Sequence, residues 1–312
     1  MLRQTLLAVS ANQRIRGFIS DYPATRSVVD RYVAGETSAD AVRTAQRLRA
    51  EGMLVTLDYL GEDTTDLSQA VATTDEYVSV LGKLAAEGLT EGGAVEVSVK
   101  PTAVGLYLAQ DGEKTATDNI VRIADAAREA GTTVTVDAED HVAVEATQRI
   151  VAKLRSSHPN LGLVVQAMLR RTEADCRGLA AIKGARVRLC KGAYNEPESE
   201  AFTARHDIDK SYARCLRTLM EGDGYPMVAS HDPRLIQIAG SLALQNGRFA
   251  EDFEYQMLFG IRPDEQRRLA ATGASVRVYV PYGDDWYGYL VRRLAEKPAN
   301  LRFFLRSLGS RS

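Results

Sequence analysis

The sequence predicts an α/β protein, a closed (βα)8 barrel of the TIM type with an N-terminal helical arm. Three observations carry that prediction. From Met53 onward, eight short apolar or β-branched runs alternate with longer helix-like segments. Several runs are nearly continuous in hydrophobicity, which suits parallel strands covered on both faces. The span from residue 53 to residue 312 also matches the length of about 250 residues that eight such units occupy. An open doubly wound sheet is the runner-up. No strand is followed by its G-x-G-x-x-G loop, and eight units close more naturally than they stay open.

Taken in order, residues 1–52 read as a helical arm and 53–312 as the barrel. In the arm, LRQTLLAVSANQRIRGFI is amphipathic and TRSVVDRYV is a shorter piece. Thr37-Ser38-Ala39-Asp40 is a capping-box pattern that opens SADAVRTAQRLRAEG. The strand runs are MLVTLDY (53–59), AVEVSVK (94–100), TTVTVDA (132–138), LGLVVQA (161–167), ARVRLCK (185–191), YPMVAS (225–230), DFEYQML (252–258) and SVRVYV (275–280). Between them, one helix runs from about Thr65 to Leu89, and another ends at Gly131 after NIVRIADAAREA. Thr172-Glu173-Ala174-Asp175 reads as a second capping box, and Asp232-Pro233 as an N-cap with Pro at the first helical position.

Composition narrows the function. The chain has 312 residues, 45% hydrophobic and 26% charged, with a net charge of -2 and a pI near 6.2. That is the make-up of a soluble globular protein without the basic field that nucleic acid requires. No apolar run approaches the roughly 20 residues that span a bilayer. The opening MLRQTLLAVS lacks the ordered regions of a signal peptide, which places the chain in the cytoplasm. Cys176, Cys190 and Cys215 form an odd set with no paired spacing, against both a disulfide framework and a zinc knuckle. With four histidines scattered along the chain, no multi-histidine metal site is expected.

In such a barrel, function gathers where the strands finish. Reading each run to its end gives Asp58 and Glu62, Lys100, Asp137 and Glu139, Gln166, Arg188 and Lys191, Ser230, His231 and Asp232, Glu254 and Gln256, and Tyr279. Lys100, Arg188, Lys191, Arg292 and Arg293 outnumber the acids Glu62, Asp137 and Glu139, so the rim favours an anionic ligand. Two adjacent guanidinium forks can clamp one carboxylate. Tyr289, Arg292 and Arg293 share a helical sector just past the last strand, with Trp286 and Tyr287 close by. In RLCKGAY (188–194), Gly192 lets backbone approach a ligand, and Lys191 suits either a Schiff-base nucleophile or a point charge for phosphate. His231 suits a general base, a metal ligand or a stacking group, and Cys190 reads as packing.

The ordered set VSVKPTAVG, VTVDAED, VVQAMLRR, RLCKGAY, VASHD, FEYQMLFG and VYVPYG…YLVRRLAE resembles the proline dehydrogenase family from Leu54 onward. The resemblance implies a distorted (βα)8 barrel that holds FAD non-covalently and oxidises L-proline to Δ1-pyrroline-5-carboxylate. A hydride passes from the ring carbon next to nitrogen to flavin N5. It further implies that Arg292 and Arg293, with Lys100 beside them, bind the proline carboxylate. Tyr279 and Tyr289 pack around the pyrrolidine ring, Leu258 closes an apolar floor, and Glu62 gates the site by pairing with the first clamp arginine. A bulky Tyr279 implies plain L-proline rather than hydroxyproline. Asp137 is carried over as an active-site residue and Arg188 as the cation near N5. Lys191, Gly192 and Ala193 line the flavin ring and pyrophosphate, and Gln166, Ala138, Ser230 and His231 hold the rest. Cys190 and Asn195-Glu196-Pro197 depart from the family pattern. The implied form is monofunctional and binds no nucleic acid. A membrane quinone is its electron acceptor, which brings peripheral contact with the inner face of the membrane. The segment NLRFFLRSLGSRS reads as core packing ahead of membrane or partner contact. The oligomeric state is not set. Two other readings stay open at this point: a flavin-free barrel aldolase or lyase using Lys191 as nucleophile, and a non-catalytic amino-acid-binding barrel.

Overall fold

The computed structural model describes residues 29–295, with side chains through Leu290. The first helix expected in the arm and the segment NLRFFLRSLGSRS lie outside the described residues. Eight parallel strands close a barrel in chain order. They are β1 (Leu54–Tyr59), β2 (Val95–Val99), β3 (Val134–Val136), β4 (Leu161–Gln166), β5 (Arg186–Cys190), β6 (Tyr225–Ala229), β7 (Glu254–Leu258) and β8 (Val276–Tyr282). The seam is β8 against β1, running from Leu54↔Arg277 to Tyr59↔Tyr282.

The helices are α1 (Ser38–Ala50), α2 (Leu67–Ala86), α3 (Gly112–Glu129), α4 (His141–Leu154), α5 (Thr172–Ala180), α6 (Arg205–Glu221), α7 (Pro233–Gln245), α8 (Pro263–Ala271) and α9 (Trp286–Ala295). Local chemistry sets several of their starts. Thr37 and Asp40 form the reciprocal capping box of α1. Asp232 caps α7, with Pro233 in its first turn. The capping box expected at Thr172 is absent. Arg171 takes the N-cap position without a side-chain bond, and the Thr172 hydroxyl instead donates to the Gln166 carbonyl at 2.6 Å. The end of β4 thus competes for the hydroxyl and wins.

The strands are not apolar on both faces. Each alternates, with its apolar set turned outward. Val55, Leu57, Val95, Val97, Val99, Val134, Val136, Val187, Leu189, Val278 and Val280 pack with the helices into one continuous core. The other set points into the lumen and is largely polar: Thr56, Asp58, Glu96, Ser98, Thr135, Arg186, Arg188, Glu254, Gln256 and Arg277. The register brings these layers level, as in Asp58↔Ser98, Ser98↔Thr135 and Gln256↔Arg277.

One helix takes another's place. α1, which precedes the first strand, packs along β1 and β8 and so covers the seam. That releases α9 from the wall. Its Trp286, Tyr287, Tyr289 and Leu290 form a separate cluster with Leu60, Ile261, Tyr32 and Val33. Leu60 follows β1 and Ile261 follows β7, so α9 stands over the C-terminal ends of the strands.

Candidate active site at the C-terminal rim

The rim is built from strand ends. β1 presents Asp58 and the turn after β2 presents Lys100, whose Nζ lies 2.8 and 2.9 Å from the two Asp58 oxygens. Burial alone would release the Lys100 proton, but Asp58, Asp137 and Glu62 hold its ammonium above the usual lysine range. Next to this pair, Arg188 of β5 is 4% exposed. Its Nη1 donates to Asp137 Oδ1 at 2.7 Å and to Ser98 Oγ at 3.0 Å. Its Nε donates to Gln256 Oε1 at 2.5 Å. The Tyr279 hydroxyl donates to the other Asp137 oxygen at 2.7 Å, and Arg188 Cζ stands 5.3 Å from the Tyr279 ring centroid. Burial, with Asp137 and Asp58 nearby, keeps that phenol protonated. Five side chains, from within β1, β5 and β8 and from the residue just past β2 and β3, thus meet in one largely buried patch: Asp58, Lys100, Asp137, Arg188 and Tyr279.

A second group surrounds it. Gln166 Nε2 donates to the Glu139 carbonyl at 2.6 Å. The buried Glu139 carboxylate accepts the Thr102 N–H at 3.0 Å, and burial raises it to about 7. Gly192 adopts φ +97, and a Cβ there would lie 2.2 Å from Met168 Sδ, so only glycine fits. Ala193 is exposed beside it and Ala138 is half-buried. Ser230 Oγ accepts the Asp232 N–H at 3.1 Å. His231 Nε2 accepts the Leu258 N–H at 2.8 Å, which occupies that ring nitrogen. Among the described residues, no group of three metal-ligating side chains occurs.

Lys191 does not suit a Schiff base. Its ammonium lies between Asp209 at 2.5 Å and Asp232 at 3.2 Å, and Arg234 bridges the same two carboxylates at 3.0 and 2.9 Å. An imine-forming lysine needs an apolar or cationic setting that frees its amine, and two carboxylates do the reverse. Cys190 is half-buried with its thiol pushed up to about 11 by desolvation, in line with packing.

Leu258 and Tyr289 sit in or against the rim cluster under α9. Arg292 and Arg293 fall on the same helix, three and four residues past Tyr289, and their side chains lie outside the described residues. The Glu62 gate, which needs the Arg292 side chain, lies outside them too.

One placement differs from the sequence reading. Glu254 opens β7 rather than ending it, so its carboxylate lies a layer below the rim. There it accepts from Arg277 Nε at 2.7 Å. The lower layer itself went unread. Glu96 accepts from Thr56 at 2.9 Å, Thr135 at 3.1 Å and Arg186 at 2.8 Å, and also from Thr133. Arg188 Nη2 at 3.6 Å and Arg277 Nε at 3.8 Å complete its surroundings. Burial works against the Glu96 charge, but Arg277, Arg186 and Arg188 bring its carboxyl down to about 2. The signal was present as a charged residue at the second position of each strand, Glu96 in VEVSVK and Arg277 in VRVY.

Comparison with known proteins decides the family. A model described as "Proline dehydrogenase" matches residues 41–306. The chain belongs to the proline dehydrogenase family. It is 36% identical to "Proline dehydrogenase 1" of Bacillus subtilis (strain 168), with 99% of each chain covered. It is 34% identical to "Proline dehydrogenase" of Deinococcus radiodurans, covering 90% of each. Among solved structures, proline utilization A from Bdellovibrio bacteriovorus inactivated by N-propargylglycine aligns with a TM-score of 0.80 at 25% identity. That alignment covers 87% of this chain and 33% of the longer one. The family's eight-stranded barrel is the fold found here.

Proposed function

We propose that the chain oxidises L-proline to Δ1-pyrroline-5-carboxylate with non-covalently bound FAD at the C-terminal rim. The observation that carries the reading is the buried Asp137–Arg188–Tyr279 constellation beside the Lys100–Asp58 pair, in a chain of this family. The donor set suits FAD. A buried guanidinium fixed at the rim would stabilise a reduced, anionic ring, and the bare backbone at Gly192 leaves room for a flat ligand. Gln166, Ala138, Lys191, Gly192, Ala193, Ser230 and His231 would hold the cofactor. Bound FAD supplies the acceptor for the hydride that leaves proline.

The protein's own part is electrostatic and steric. Lys100 would attract the proline carboxylate while Asp58 balances its charge, and Arg292 and Arg293 would complete the clamp. Tyr279 and Tyr289 would pack against the ring, over Leu258. Asp137 orients both Arg188 and Tyr279, so the cation and the ring wall stay in register. Glu62 would close the site by pairing with Arg292. Electrons would pass on to a membrane quinone through peripheral contact. Among the described residues, no helix is long and apolar enough to cross a membrane.

The test is direct. Purified protein should absorb near 450 nm, the region of an oxidised flavin, and reduce a quinone analogue only when proline is added. Arg292→Met should raise the Michaelis constant for proline while FAD stays bound. A colourless protein, or proline saturation unchanged in that variant, refutes the assignment.

A further inference from the structure

Glu254, Gln256, Glu96 and Arg277 are buried and Arg186 is half-buried; all are hydrogen-bonded and without a part in the reading above. One of them, Gln256, is hydrogen-bonded to Arg188. Gln256 Oε1 accepts from Arg188 Nε, and Gln256 Nε2 donates to Glu254 Oε1, both at 2.5 Å. Glu254 also accepts from Arg277 Nε at 2.7 Å and from the Tyr225 hydroxyl at 3.2 Å. Burial opposes its charge, but Arg277 and Arg186 keep its carboxyl low and ionised. An ionised carboxylate can only accept, so the amide must turn its NH2 to Glu254 and its oxygen to Arg188. The reverse orientation would set two donors face to face at Arg188 and two acceptors face to face at Glu254.

We propose that Gln256 is a positioning residue for the reaction, held in its working orientation by Glu254. It grips the Nε edge of Arg188 while Asp137 and Ser98 grip Nη1. With two edges pinned and Glu96 3.6 Å from Nη2, the guanidinium cannot rotate in its plane. The cation is therefore placed before ligand arrives, which is the condition for electrostatic stabilisation without reorganisation. This rests on the FAD and proline reading above.

The experiment compares the FAD-loaded parent with Gln256→Met, which keeps the volume but loses the acceptor. The expected result for Gln256→Met is full FAD content, a Michaelis constant for proline within about threefold, and kcat lower by about tenfold or more. Its flavin midpoint potential should fall, because a displaced cation stabilises the reduced ring less. By NMR, the Arg188 Nε–H should exchange faster with solvent in Gln256→Met than in the parent. Parent-like kcat and potential in Gln256→Met overturn the proposal, as does loss of FAD from a folded variant, which would make Gln256 a cofactor contact. Should Gln256→Met fail to fold, Glu254→Gln removes the charge that fixes the amide. Unchanged kcat, potential and Nε–H exchange in that variant would equally overturn it. A parent protein that binds no flavin refutes the function proposed above instead, and the Nε–H exchange measured without cofactor still decides this one.

Discussion

Removing the Glu96 carboxylate should unfold this barrel more readily than any surface change. Glu96 is fully buried and is the shared partner of Arg186, with Arg188 and Arg277 within 3.8 Å. Breaking a buried ion pair by deleting one member costs about 3–5 kcal/mol, because the other charge is left uncompensated. Proton linkage supplies a second figure. The carboxyl falls from 4.5 to about 2 on folding, worth about 3 kcal/mol. The sign follows from the depressed value: this stability is present above pH 4.5 and is lost as pH falls through about 2. Glu96→Gln should therefore lose about 3 kcal/mol at pH 7, near 10 °C in Tm for a domain this size, about half of that at pH 3 and little below pH 2. Urea and thermal unfolding followed by circular dichroism across that range would read both effects. A Glu96→Gln variant within 1 kcal/mol of the parent at pH 7, or a deficit that does not shrink in acid, refutes the reasoning.

Three further outcomes are expected. Tyr279→Phe deletes the 2.7 Å bond to Asp137 and should lower kcat/KM for proline about tenfold, read by steady-state assay. Glu139, raised by burial from 4.5 to about 7, contributes stability that is present below pH 4.5 and lost as pH rises through about 7. Glu139→Gln should flatten that decline and leave the protein about 2–3 kcal/mol more stable than the parent at pH 8 in urea titrations. Gly192→Ala forces a side chain into φ +97 against Met168, should cost about 1–3 kcal/mol, and should weaken FAD retention on dialysis.

The order of strands and helices was legible because turn chemistry and β-branched runs are local. The run SVRVYV, for example, becomes β8 with its start shifted by one residue and its end by two. Rim residues were legible because the C-terminal end of a strand is a position that sequence marks. The lower lumen was not, because Glu96 and Arg277 look like ordinary alternation within a strand. Only the register brings Arg277 to Glu254, two strands having to be aligned before the pair exists. The capping box at Thr172 failed for a related reason: a four-residue pattern cannot report that a neighbouring carbonyl captures its hydroxyl. The place of α1 across the seam was likewise invisible, since nothing within residues 38–50 says which strands they will cover.

That placement changes the order in which the molecule can be assembled on a ribosome. The element sealing β8 against β1 is made before β1 itself, so it waits for the last strand instead of following it. Residues 38–282 contain every strand and the helix that spans their junction. The cylinder can shut as soon as Tyr282 clears the exit tunnel, with the rim helix still enclosed within that tunnel.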